Sequence, residues 1–319
     1  MRPAPNGRRL AVVTVTYNSR DVLTGFLDSL VGGLAGIEDC EVVVADNASA
    51  DDSADLALAH RIRPRVVRTG RNGGYSAGIN AAIATTSADR DILILNPDIR
   101  LMAGTAARLL DELNDSSVGV AVPTIFDEDG SIARSVRREP SLATIWSDSL
   151  LGTKIASSIG LGELVSTPAL YRDGGAIDWA TGAALMVSAP ARRAIGAWDE
   201  SFFLYSEEVD YLRRVRDRGF SVRFVPEAHC VHIGGDYHDN TQLSALMTRN
   251  RIRYYRRYHG PVSTEIYRLG LLAEGSLRYA LGPGHRAAFK AALTTVATSS
   301  ERPTGSGGFA RFADEGSGS

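Results

Sequence analysis

Residues Phe202 to Phe220 read FFLYSEEVDYLRRVRDRGF and put three carboxylates, Glu207, Glu208 and Asp210, into four positions. Like charges so close repel, so a folded chain needs a reason to hold them. Three reasons are open: a solvated helix start whose positive dipole end offsets the repulsion, a divalent-cation site, or a general base with its supports. On a helix beginning near Glu207, that residue and Asp210 share a side, while Glu208 projects about 100° away. A further carboxylate, Asp98, is delivered by LILNPD, an apolar strand stopped at Pro97. There it either fills an ordinary proline turn or holds a divalent cation that bridges two phosphates. Asp46 ends the apolar run VVVAD. It either caps a helix or turn or accepts the N3–H of a uracil or thymine ring.

HCVHIGGDYH offers His229, His232 and His238, followed or flanked by Gly234 and Gly235. Strand alternation sends His229 and His232 to opposite faces, so at most one of them meets a given site. A lone histidine is more often structural; His232 becomes a candidate ligand only together with Asp98. RTGRNGGYSAGIN (68–80) is a Gly-rich loop leading into a helix. Backbone N–H groups and the helix dipole suit an anion there, although the spacing matches neither the phosphate loop of nucleoside triphosphatases nor the dinucleotide fingerprint. RNRIRYYRRYHG (249–260) is basic with interleaved tyrosines. It reads as a solvated helix face with packed tyrosines, or as a contact to anionic lipid or a pyrophosphate-linked acceptor. Nucleic acid is disfavoured, because the net charge is only −2 and supplies no global field.

These residues need a scaffold. RLAVVTVTY, EVVVADNAS, RVVRT, DILILNPD and VGVAVPTIF read as strands, with helices expected at Asp21–Leu34, Ser53–Ala59, Ala77–Thr86 and Ala103–Leu113. Val22, Phe26, Leu27 and Leu30 form the expected buried face of the first helix. Strands alternating with helices at this spacing imply an α/β fold with a mostly parallel, doubly wound sheet. Ligands bind at the carboxyl ends of such strands, where this chain carries Thr16, Tyr17 and Asn18, then Asp46 and Asn47, then Asn96 and Asp98. Residues 134–172 show no clear pattern. Beyond them come DWATGAALMVS, helices at Pro190–Ile195 and Glu207–Arg218, the strands SVRFV and HCVHI, and a helical, partly basic stretch over 244–290.

The chain has 319 residues, 44% hydrophobic and 23% charged, which suits a soluble globular protein with one large domain and an extension. Cys40 and Cys230 each lie in an apolar strand-like run, which points to a reducing compartment. No cleavable leader is evident, and no apolar run approaches the roughly 18–20 residues that span a bilayer. A cytoplasmic location is expected, with any membrane contact peripheral.

Five segments, VTVTYNS, VVVADNASAD, RNGGYSAGIN, LILNPD and the run from DWATGAALMVS to DRGF followed by HIGG, occur in an order and spacing that resemble the family-2 glycosyltransferases. The resemblance extends from about Leu10 to Gly260 and looks most like bacterial rhamnosyltransferases, which commonly read NPD where other members read DxD. It implies a GT-A (Rossmann-like) fold: a leader at 1–8, a catalytic domain at 9–243 with a nucleotide-sugar half (9–125) and an acceptor half (126–243), a basic helical extension at 244–298 and a loose tail at 299–319. It implies that Thr16, Tyr17, Asn18, Asp46 and Asn47 lie beside the nucleotide, and that Asn72, Gly73, Gly74, Ala77 and Asn80 follow the ribose and diphosphate. Asp98, with His232 as second ligand, would hold Mg2+ or Mn2+; Asn96 stands where DxD has its first acid. Asp178, Trp179, Thr181, Gly182 and Ala183 would line the acceptor side. The base would be in the pair Glu207–Glu208, with Glu208 facing the acceptor hydroxyl and Glu207 and Asp210 anchoring backbone or arginines such as Arg213 and Arg214.

The activity so implied is inverting transfer of a sugar, L-rhamnose from dTDP-L-rhamnose, to a glycan or polyprenyl-diphosphate-linked acceptor of the cell envelope. A UDP-galactofuranose or UDP-hexose transferase is the enzyme alternative. An inactive sugar-nucleotide or glycan-binding module is the other, supported by Asn96 alone.

Overall fold

The computed structural model describes residues 8–234 and 240–295. Most of the expected leader, Gly235, His238 and the tail from residue 299 lie outside the described residues. In chain order the elements are β1 (Leu10–Thr16), α1 (Arg20–Gly33), β2 (Cys40–Asp46), α2 (Ser53–Ala59), β3 (Arg65–Arg68), α3 (Tyr75–Ile83), β4 (Asp91–Leu95), β5 (Ile99–Leu101), α4 (Thr105–Glu112) and β6 (Val118–Phe126). There follow β7 (Ile132–Ala133), β8 (Val136–Arg137), α5 (Leu142–Leu151), α6 (Thr153–Ser158), α7 (Pro168–Asp173), β9 (Gly175–Ile177), β10 (Trp179–Ala180) and β11 (Ala184–Val187). The last are α8 (Ala189–Ile195), α9 (Glu207–Asp217), β12 (Ser221–His232), α10 (Thr241–Tyr258), α11 (Pro261–Leu277) and α12 (Pro283–Thr294).

Two compact units form. The first comprises residues 8–137, 164–203 and 207–234, and the second 138–163, 204–206 and 240–295. In the first, the main sheet runs β3-β2-β1-β4-β11-β6-β12-β5. The strands β3, β2, β1, β4, β6 and β12 point one way, while β11 and β5 run against their neighbours. The sheet is thus mixed with mostly parallel strands, flanked by helices. β1 is buried along its whole length, as expected of a strand covered on both faces. Helix α1 covers it with Leu23, Phe26, Leu27 and Leu30, spaced three, four and seven residues apart along one face. Leu23 takes the place expected of Val22, which is half-buried one position earlier.

β12 is one strand of 12 residues where two were expected. Pro226 falls in a register shift between Val225 and His229, so its missing N–H is absorbed in a bulge rather than ending the strand. The consequence is functional: beyond the shift, His232 pairs with Ile99 of β5 and reaches the edge where β4 ends.

The second unit is helical. Its core joins Ile145 of α5, Ile252 and Tyr255 of α10, Tyr267 and Leu271 of α11, and Ala292 of α12. The Tyr255 ring stacks on Tyr267 at 4.0 Å and on His259 at 3.9 Å. Arg251 pairs with Glu163 at 2.9 Å and Glu274 at 3.7 Å. Residues 138–163, patternless in sequence, therefore belong with the C-terminal helices. Among the described residues no helix is long and apolar enough to cross a membrane.

Candidate active site

The sheet edge at the end of β1 and β2 holds the first cluster. Asp46 is buried at the close of β2. Its Oδ1 accepts from the Thr16 hydroxyl and its Oδ2 from the Ser49 N–H, each at 3.3 Å. The turn role expected of an aspartate here is therefore present, and both oxygens keep acceptor capacity. Asn18 braces the same loop: its N–H donates to Ser49 Oγ and its Oδ1 accepts from the Ala50 N–H. Tyr17, between them, donates its N–H to Ser19 Oγ. Asn18 and Ala48 both have positive φ, 51° and 62°. Such conformations in residues other than glycine mark places where surrounding structure overrides local preference.

Asn47 links this edge to the Gly-rich loop, donating its Nδ2 to the Gly74 carbonyl at 2.8 Å. The loop itself is knitted inward. Asn72 Oδ1 accepts the Gly74 N–H, and the Tyr75 N–H donates to the Phe203 carbonyl at 2.8 Å. Gly74 has a φ of 87°, and a Cβ on it would lie 2.2 Å from Phe203 O. A glycine is thus required both by conformation and by the close approach of the 203 backbone. Gly73 packs against Ala77, on the first turn of α3. Part of the loop that sequence assigned wholly to an anion is spent on docking against the segment leading to the acidic helix.

Tyr75, which sequence reading passed over, is where the parts meet. Its hydroxyl approaches the Gly182 carbonyl at 3.4 Å. Burial pushes its phenol well above the usual range, and the nearby carboxylates of Glu207, Asp98 and Glu208 push the same way. The charges of Asp98 and of the acidic pair are thus all felt at one hydroxyl. The segment carrying Gly182 is held by backbone: Trp179 and Ala180 pair with β8, the Thr181 N–H donates to Ser135 O, and the Ala183 carbonyl accepts the Asn96 N–H. Trp179 is buried, and Asp178 lies 3.9 Å from Arg216 of α9 in an ion pair.

Asp98 and His232 meet across β5 and β12. His232 Nε2 lies 3.2 Å from Asp98 Oδ2, and the Ile233 N–H donates to the Asp98 carbonyl. The hydrogen bond to Asp98 raises the imidazole above its ordinary range, against the opposing effect of burial. The other oxygen of Asp98, Oδ1, is buried with no hydrogen-bond partner among the described residues. A buried carboxylate oxygen seldom stays unused. Together with the imidazole it offers two donors suited to a hard divalent cation that completes its shell from phosphate and water. Among the described residues no group of three or more His, Cys, Asp or Glu side chains forms a metal cage. His229, on the opposite face, packs its ring edge-on against Phe126.

Helix α9 starts at Glu207, immediately after Tyr205 and Ser206, whose φ values are 68° and 71°. Glu207 points inward and is 4% exposed, and its Oε2 has no hydrogen-bond partner among the described residues. Burial first, and the Glu208 charge second, raise its pKa well above the usual carboxylate range. Glu208 is half-buried, and its Cβ lies 3.4 Å from where a Cβ on Gly182 would be. Asp210 pairs with Arg214 at 2.8 Å, and Arg213 with Asp217 at 2.9 Å. The arginine anchor expected of Glu207 and Asp210 is thus made by Asp210.

Asn80 is occupied elsewhere. Its amide donates to the Trp198 carbonyl and Glu200, and its Oδ1 accepts the Trp198 N–H, so it fastens α3 to the 198–200 turn. In the 249–260 stretch, Tyr254 and Tyr255 are buried, and Arg251 is engaged with Glu163.

The chain is similar to known proteins. The sequence profile of "Glycosyl transferase family 2" matches residues 11–174. An N-acetylglucosaminyl-diphospho-decaprenol L-rhamnosyltransferase of Mycobacterium tuberculosis is 30% identical over 234 residues, covering 70% of this chain and 75% of that protein. Rhamnosyltransferase WbbL of Escherichia coli K12 is 23% identical over 258 residues, covering 77% and 91%. The crystal structure of GalNAc-T7 with UDP, GalNAc and Mn2+ superposes with a TM-score of 0.59 at 17% identity, covering 92% of this chain and 57% of that one. That structural likeness is one of fold, the GT-A fold. With the profile spanning both the Asp46 edge and the Asp98 turn, the chain belongs to glycosyl transferase family 2.

Proposed function

We propose that this transferase is inverting and metal-assisted, and moves L-rhamnose from dTDP-L-rhamnose to a hydroxyl of a polyprenyl-diphosphate-linked glycan in cell-envelope polysaccharide synthesis. The observation that carries this reading is the pairing of Asp98 with His232 at the end of β4, which leaves Asp98 Oδ1 buried without a hydrogen-bond partner among the described residues. The same edge is joined through Asn96 and the Ala183 carbonyl to the Gly182 backbone, beside which Glu208 lies. The names of the two rhamnosyltransferase relatives support the sugar and, for the mycobacterial one, the lipid-linked acceptor.

In this reading Asp98 and His232 hold Mg2+ or Mn2+. The bound cation would neutralise the nucleotide diphosphate as it departs. Asp46 accepts the N3–H of the pyrimidine ring. Glu208 removes the proton of the acceptor hydroxyl, whose own pKa is far above neutrality. One base on the face opposite the leaving group gives a single in-line displacement and inversion at the anomeric carbon. Glu207 keeps its proton because two adjacent carboxylates cannot both ionise cheaply and the buried member ionises last. Tyr75, kept protonated, donates to the Gly182 carbonyl and fixes the backbone beside Glu208.

The test is a thermal-shift screen of dTDP- and UDP-sugars with and without Mn2+. A true donor at 100 times its Kd adds about 2.7 kcal/mol of stability. The anomeric configuration of the transfer product then reports inversion or retention. A larger shift with a UDP-sugar would replace rhamnose by galactofuranose or a hexose, since Asp46 reads an edge common to thymine and uracil.

A further inference from the structure

We propose that the outward face of α11, continued by the end of α5 and by α6, is a docking surface for an anionic lipid bilayer. Helix α11 buries Thr264, Tyr267, Leu271 and Gly275 on one side, and Gly270 beside them where Ile145 of α5 packs against it. The opposite side carries Val262, Ile266, Leu269 and Leu277, which are 74, 39, 46 and 66% exposed. Their spacing of four, three and eight residues places them in one stripe, roughly opposite the buried one. A surface helix of a soluble domain is normally polar there. A helix apolar on both sides has one face awaiting a partner.

The stripe does not end with the helix. The Arg278 guanidinium donates to the Asp148 carbonyl at 3.2 Å, and the Ser149 hydroxyl to the Gly270 carbonyl at 2.8 Å. The close of α5, with exposed Leu150 and Leu151, therefore adjoins the close of α11. Ile155 and Ile159 on α6 and Leu281 just beyond α11 are exposed as well.

Charge identifies the occupant. The acids of α11 are neutralised within the helix or just past it, Glu265 by Arg268 and Glu274 by Arg278. Lys154, beside Ile155, and Arg286 and Lys290, which share a face of α12 with exposed Leu293, have no ion-pair partner among the described residues. Exposed aliphatic side chains and unneutralised cations on the same helical unit match an acyl boundary beneath anionic headgroups. A second copy of this chain would bring the same cations against one another. The choice of a bilayer as the relevant surface rests on the lipid-linked acceptor proposed above. It moves membrane contact from the 249–258 stretch, where Tyr254 and Tyr255 are buried, to α11.

The experiment is flotation of the full chain with vesicles of phosphatidylcholine alone or mixed with phosphatidylglycerol. The parent should float with the anionic vesicles, and more weakly with neutral ones. Leu277→Ser with Leu281→Ser should weaken binding at least tenfold on both. Lys154→Gln and Lys290→Gln should each cost about fivefold on anionic vesicles and nothing on neutral ones. An unchanged nucleotide-sugar melting shift in each variant shows an intact fold. Three results would overturn the proposal: no flotation of the parent, a solution dimer that Leu277→Ser dissociates, or loss of binding on Arg256→Gln with Arg257→Gln but not on the leucine changes. Flotation without transfer to a lipid-linked acceptor would leave the docking surface standing and remove the proposed function. Transfer to a soluble acceptor analogue without flotation would do the reverse.

Discussion

Glu207→Gln should make the protein more stable at neutral pH, by an amount that depends on pH in a defined way. The parent carboxyl is 4% exposed and adjoins the Glu208 charge, and burial, the larger cause, raises its pKa above the ordinary 4.5. Below pH 4.5 the carboxyl is protonated in folded and unfolded chains alike, and glutamine is nearly isosteric with it, so the two proteins should melt together. Above pH 4.5 the unfolded chain releases this proton while the folded chain keeps it. The folded state then binds more protons, and stability falls as pH rises, by about 1.4 kcal/mol per pH unit. The decline stops once the pH passes the folded-state value. The Gln variant has no such loss. For a protein of this size the gap in Tm should open by roughly 2 °C per pH unit from pH 4.5 upward and then level off. Melting curves from pH 4.5 to 8.5, without nucleotide, measure it. Glu208→Gln in the same series should shorten the window, because it deletes the second cause of the shift. Parallel curves for parent and Glu207→Gln would mean that Glu207 ionises like a solvated carboxylate. The division of the acidic pair into a protonated and an ionised member would then fail.

Glu208→Gln should lower the transfer rate by about 10²–10⁴-fold with donor and Mn2+ binding intact; a dead Glu207→Gln beside an active Glu208→Gln would reverse the roles. Asp98→Asn should raise the Mn2+ requirement sharply and His232→Ala more mildly; parental rates for both at limiting Mn2+ would remove the metal assignment. Asp46→Ala should weaken dTDP binding by roughly 1–3 kcal/mol, and an equal loss for a purine diphosphate would indicate damage to the fold.

What could be read from the chain before folding it follows physical lines. Strands such as LAVVTVT and DILIL, buried on both faces, are continuous apolar runs with polar residues at their carboxyl ends, so both the sheet and its polar-lined edge are legible in the sequence. β5 has three residues, too few to show a period. The unity of β12 was hidden because a proline normally ends a strand, and only the pairing with β6 shows the bulge that accommodates it. Residues 138–163 looked patternless because α5 and α6 carry apolar side chains on exposed as well as buried faces. Tyr75 was missed for another reason. The glycines around it suggest an anion loop, and nothing local reveals that its hydroxyl reaches the Gly182 carbonyl. The one available signal was an aromatic residue placed directly after two glycines.

The acidic cluster is tolerated because its three carboxylates meet three different environments, and the helix dipole is only part of the answer. Asp210 is fully buried but paired with Arg214, whose guanidinium also donates to the Ile195 and Ala197 carbonyls at the close of α8. That contact seats α9, and stacking of Tyr211 on Trp198 at 4.3 Å adds to it. Glu207, on one helical side with Asp210, faces the interior with no arginine partner among the described residues, and burial raises its pKa above the usual carboxylate range. Glu208, about 100° around the helix, is left half-buried beside Gly182 and Tyr75. The same helical geometry that separates the charges therefore gives them different surroundings. Moving the acids by one position would bury the carboxylate now beside Gly182 and expose the one now paired with Arg214.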